Sequence, residues 1–139
     1  MFTYSIGDKK SSFMKGVFDL TASTFEDSPI QLIKSLDEVA HFRDYHAVIQ
    51  FLKEHYYLVE IIYAAIDRVY HYFPSESTFC EIDIISDEGL ESSKKLFLYL
   101  KTTLEPEDAM EFLDNFDDQW WIDMVPETNC KMIIDLEFS

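Results

Sequence analysis

The stretch from Tyr56 to Phe73, YYLVEIIYAAIDRVYHYF, constrains this chain more than any other. Between Tyr56 and Ile66 only Glu60 is charged, and neither Gly nor Pro interrupts the run. Leu58, Ala64 and Ala65 favour helix. Leu58, Ile62, Ala65 and Val69 recur at helical spacing, and Ile61, Ala64 and Ile66 widen that stripe beyond one face. A helix that is apolar around most of its girth needs neighbours on several sides. It falls short of the roughly 20 apolar residues required to span a bilayer. The spacing therefore predicts a buried core helix over 56–73, on which the other segments pack.

The rest of the chain supplies those segments. Residues 1–27 read as an arm: Phe2, Tyr4 and Ile6 alternate as in a short strand, and Val17 to Ala22 is a second strand candidate. Lys9, Lys10 and Lys15 make this the one basic stretch, which either lies against the acidic body or is loose. Ser28-Pro29 opens a helix, with Ser as N-cap and Pro in the first turn. Ser35-Leu36-Asp37-Glu38 is a competing capping box. Either one helix runs from Pro29 to about Phe42, or a turn precedes a helix from Leu36. Asp44 caps a helix from Tyr45 to about Glu54, which either bends near His55 into the core helix or is separated from it by a turn. Phe73-Pro74 ends the core helix, because a residue before Pro avoids helical dihedrals.

Beyond Pro74 the pattern changes to β. Thr78 to Ile85 and Lys95 to Thr103 read as strands of an antiparallel hairpin across a polar loop. Pro106 opens a helix with Ala109, Phe112, Leu113, Phe116 and Trp120 at its apolar spacing. A last strand, Asn129 to Phe138, sets Cys130, Met132, Ile134, Leu136 and Phe138 on one face. The chain thus reads as one α+β domain over 1–139. Its helical part, 28–73, packs on a small mixed sheet built by a β-β-α-β half over 78–138.

Charge limits function. The chain holds 27 acids against 11 bases, a net charge of −16. Nucleic-acid backbones and anionic membrane surfaces are poor partners for such a chain; a basic protein, a cation or solubility alone suits it. From Glu105 to Glu127 there are nine acids, and no Lys or Arg lies between Thr102 and Cys130. Glu107 with Glu111, and Asp114 with Asp118, are like-charge i,i+4 pairs that weaken a helix slightly. A solvated helix face has this composition, and so does a surface that docks a basic partner. Trp120 and Trp121 follow; on an α-helix they point about 100° apart, so either Trp121 stands at the rim as a partner anchor, or the chain turns after Trp120 and buries both. The candidate partner-binding residues are Glu111, Asp114, Asp117, Asp118, Trp121 and Asp123. No catalytic residue, metal ligand set or cofactor is assigned.

The segment EPEDAMEFLDNFDDQWWIDMVPETNCKMIIDLEF, preceded by KLFLYLKTT, resembles small uncharacterised bacterial proteins with an L-D-x-F-D-x-x-W-W segment. The resemblance covers the C-terminal half and implies that this half is a unit. It brings no catalytic residue with it. By analogy, small acidic proteins of this kind suit an antitoxin-like role.

Two alternatives stand beside an interaction module. Glu81, Asp83, Asp135 and Glu137 with Lys101 would, on one sheet face, resemble the carboxylate-and-lysine arrangement of metal-dependent nucleases, although a wet antiparallel sheet face alternates in the same way. Tyr56, Tyr57 and Tyr63, if exposed, would suit a homodimer. His41, His46, His55 and His71 form no metal motif, and His71 is expected to meet Glu60 or Asp67 only through tertiary folding. Cys80 and Cys130 have neither disulfide-framework nor zinc spacing and read as buried strand residues. The N-terminus has no apolar signal core, so a reduced cytoplasmic protein is expected.

Overall fold

A computed structural model describes residues 29–86 and 93–139. The expected strands in 1–27, the Ser28 cap and most of the 86–93 loop lie outside the described residues. The fold is α+β: among the described residues, four helices of eight or more residues cover one face of a four-stranded mixed sheet. In chain order these are α1 (Pro29–Leu36), β1 (His41–Phe42), α2 (Tyr45–Glu54), α3 (Tyr57–Tyr72), β2 (Thr78–Ile85), β3 (Lys95–Thr102), α4 (Pro106–Phe116) and β4 (Met132–Phe138).

The core helix forms as its spacing requires. Leu58, Val59, Ile61, Ile62, Ala64, Ala65, Ile66 and Val69 of α3 are all buried. Phe73 ends it in an extended conformation, its N–H still bonded to the Val69 carbonyl at 2.8 Å. Four tyrosines of α3 tie it to its surroundings through their hydroxyls. Tyr57 donates to the Thr128 carbonyl at 2.9 Å, Tyr63 to Leu32 at 3.0 Å, Tyr70 to Thr78 at 3.4 Å, and Tyr72 to Gln119 Oε1 at 2.7 Å. Burial pushes the Tyr63 hydroxyl up to about 12, so it remains a donor at any ordinary pH.

The competing signals near Ser35 resolve as a helix end. After Leu36 the chain turns, and Asp37 Oδ1 accepts the Phe42 N–H at 2.9 Å. This positions His41–Phe42 to pair parallel with Glu81 and Ile82 as β1, a strand absent from the sequence reading. Asp44 does cap α2, accepting the Ala47 N–H at 3.2 Å. The α2–α3 junction is a break: His55 leaves helical geometry (φ −129°), and its Nδ1 sits 3.0 Å from the Phe51 carbonyl.

The sheet runs β1-β2-β3-β4, with β2 and β3 antiparallel and each outer strand parallel to its neighbour. Cys80, Ile82, Leu96, Leu98, Leu100 and Met132 face the helices and join one core with α1–α4. Thr78 and Thr102, both buried, satisfy each other across the hairpin at 3.0 Å. The last strand is shorter than its pattern indicates. Asn129 and Cys130 adopt left-handed backbone conformations (φ 53° and 61°), which delays β4 to Met132 and leaves Cys130 exposed. Only Cys80 is the buried thiol expected. Burial pushes it up to about 11, with a Tyr70 hydrogen bond acting against that rise, so it stays protonated at neutral pH.

Because Ile62 is fully buried at the centre of α3, Ile62→Ala should lower the unfolding free energy by about 2–5 kcal/mol in urea titration. Glu60→Ala, on the exposed side, should change it by less than about 0.5 kcal/mol.

Candidate interaction surface

The acidic segment begins as an ordinary helix. Glu105 precedes α4 in an extended conformation, Pro106 occupies the first turn, and Glu107 and Asp108 lie at the positive N-terminal end. Ala109 and Phe116 are buried, and α4 packs against α3 and β4. Its outer side exposes Glu107, Asp108, Met110, Glu111, Asp114 and Asn115.

The helix then widens. Asp117–Trp121 forms a π-turn, with the Ile122 N–H bonded to the Asp117 carbonyl five residues back. More residues per turn means fewer degrees between neighbours, so adjacent side chains come closer in direction. Trp120 and Trp121 both turn inward and are 9% and 7% exposed. Of the two alternatives for Trp121, the structure takes burial and not the rim. Trp121 stacks on Phe116 at 6.4 Å, Trp120 lies 5.9 Å from Trp121, and Arg68 approaches the Trp120 ring at 5.7 Å. The exposed apolar groups here are instead Met110 (55%) and Ile122 (61%), with Val125 beyond.

Around this aromatic support the acids are uncompensated. Among the described residues, none of the nine acids from Glu105 to Glu127 has an ion-pair partner. Asp117 is half-buried, and its carboxyl is raised above the usual range by desolvation first, then by the charges of Asp114 and Asp118. Glu111, Asp114, Asp118 and Asp123 are exposed. Five of the six candidate residues thus keep solvent access, and Trp121 lies beneath them.

The second cluster lies on the sheet face away from the helices. The register aligns Glu81 with Tyr99 and Asp135, and Lys101 with Glu137, so the four carboxylates and the lysine do share a face. Arg43, which the sequence did not single out, occupies the space between them. Its Nε bonds Glu81 at 2.6 Å, a terminal guanidinium nitrogen bonds Glu137, and its guanidinium carbon lies 4.2 Å from the Tyr99 ring centre. Lys101 Nζ stands 3.7 Å from Glu137. Burial opposes the Arg43 charge, but hydrogen bonds and attraction from both glutamates outweigh it. The cluster is a satisfied clamp across β2, β3 and β4. Among the described residues no group of three or more His, Cys, Asp or Glu side chains is arranged to hold a metal ion.

The other candidates lie elsewhere. Tyr63 is partly buried against the core, while Tyr56 and Tyr57 are partly exposed. His71 lies 3.5 Å from Asp67, an ordinary i,i+4 helical contact rather than a tertiary one. No described helix is long and apolar enough to cross a membrane. No protein-family model, curated protein or solved structure matches the chain, so its functional reading rests on the geometry of this surface.

The raised Asp117 carboxyl, desolvated first and repelled by Asp114 and Asp118 second, affects stability with a definite sign. A carboxyl whose folded value is raised adds stability below the ordinary carboxylate range, and that stability is lost as pH rises through the raised value. Asp117→Asn should therefore raise stability at pH 7 by roughly 0.2–0.5 kcal/mol. In denaturant titrations the gain should vanish under acid conditions, where the native carboxyl is itself protonated.

Proposed function

We propose that this chain is a non-enzymatic protein-interaction module that binds a basic partner through α4 and the π-turn that follows it. One observation carries the reading: nine acids occupy a single segment that holds no Lys or Arg, and among the described residues none of them has an ion-pair partner. A helix selected for stability alone intersperses lysines, which add a few tenths of a kcal/mol per pair. Here the repulsion is retained, and the partner supplies the missing cations. Met110, Ile122 and Val125 give such a partner apolar contact among the charges, and the Phe116–Trp120–Trp121 cluster keeps the surface rigid beneath it. Arg-rich interfaces combine these same contact types.

The sharpest form is an antitoxin-like inhibitor whose target is basic because it acts on nucleic acid. An exposed free thiol at Cys130 suits a reducing cytoplasmic setting.

The test compares proteins retained from native-host lysate by the tagged wild-type chain and by a triple variant, Asp114→Lys, Asp117→Lys and Asp118→Lys. A basic protein should be retained by the wild type, elute as salt rises, and bind the triple variant at least about tenfold more weakly. Equal retention by the two chains would remove the acidic surface from the account.

A further inference from the structure

Among the described residues the sheet has an unpaired edge at either side, and both carry the same local device. β4 is the last strand, and among the described residues nothing pairs with its outer side. The Leu96 N–H bonds the Lys131 carbonyl at 2.8 Å, and the Ser139 N–H bonds the Thr102 carbonyl at 3.0 Å. Backbone groups alternate sides along a strand, so odd-numbered residues of β4 face β3. Met132, Ile134, Leu136 and Phe138 then direct their N–H and C=O to the open edge. The Leu136 N–H is nonetheless occupied: Asp135 Oδ1 accepts it at 2.9 Å. At the opposite side, the Arg43 N–H bonds the Ile82 carbonyl at 2.9 Å where the β1 ladder ends. The next N–H on that side, from Ile84, goes to Asp83 Oδ1 at 2.8 Å.

We propose that Asp135 is an edge guard, whose carboxylate holds the Leu136 N–H and keeps a second copy of this chain from adding antiparallel to β4. The strand is otherwise suited to pair with itself. A two-fold arrangement centred on Ile134 sets Ile134 against its own copy and Met132 against Leu136, all apolar, with outward-directed backbone groups meeting. The same register sets Asp135 against Ile133 and Glu137 against Lys131. The carboxylate thus opposes the pairing twice, by occupying a donor and by facing an apolar side chain. Aspartate is well suited to the first task, because its short side chain reaches neighbouring backbone N–H groups. Edge strands without such protection recruit further strands.

The test is sedimentation equilibrium of the full chain and two variants over a concentration series at physiological salt. Asp135→Ala and Asp135→Asn remove the same charge, but Asn keeps a carbonyl acceptor for the Leu136 N–H. The Asp135→Ala mass should rise with concentration toward one more copy per wild-type particle, with slowed Leu136 amide exchange in the larger species. Asp135→Asn should match the wild type. A mass for Asp135→Ala that follows the wild type throughout would overturn the proposal. So would an equal rise in Asp135→Asn, which would assign the effect to charge alone.

Discussion

Burial of α3 is the constraint on which the rest of this structure depends. A helix apolar around most of its circumference is stable in water only when other elements surround it. Here α1, α2, α4 and the inner sheet face join it in one core. The four tyrosine hydroxyls make that enclosure specific. Each reaches a different segment: the turn before β4, α1, the start of β2 and the π-turn. Apolar burial is non-directional, whereas these hydrogen bonds fix where each segment sits. The acidic surface is therefore held by the core helix at two points, Tyr57 to Thr128 and Tyr72 to Gln119.

That surface sets two physical tendencies against each other. Three large aromatic side chains, Phe116, Trp120 and Trp121, gain by packing together, and the π-turn is the backbone cost of burying both adjacent indoles. Widened turns of this kind occur often at functional sites. The same turn presses Asp117 into partial burial beside Asp114 and Asp118. The contrast with the outer sheet face is informative. There Arg43 and Lys101 neutralise the partly buried Glu81 and Glu137. Among the described residues, the acids of α4 and the following turn have no such partners.

Features legible in the sequence were those decided locally. The α3 periodicity, the Asp44 cap, the stop at Phe73-Pro74, the β2–β3 hairpin and the buried side of α4 each follow from a few neighbouring residues. Features that escaped depend on distant ones. His41–Phe42 is a strand only because Glu81 and Ile82 lie beside it. Arg43 is notable only once Glu81, 38 residues away, and Glu137, 94 residues away, are brought to it. The choice between rim and burial for Trp121 rests on a π-turn, which helical spacing does not reveal. Cys130 fits the alternation of β4, yet the left-handed pair at Asn129 and Cys130 removes it from the strand. The contact of His71 with Asp67, expected only through tertiary folding, follows instead from i,i+4 helical spacing.

The central claim is that the acidic surface, not the sheet face, meets the partner. The most direct measurement is site-specific photo-crosslinking in the native host, with the photoreactive residue at exposed Ile122 in one chain and at exposed Phe79 on the outer sheet face in another. The account predicts a covalent adduct with a basic protein from position 122 and none from position 79. Adducts from position 79 alone would contradict it and move the binding surface to the sheet.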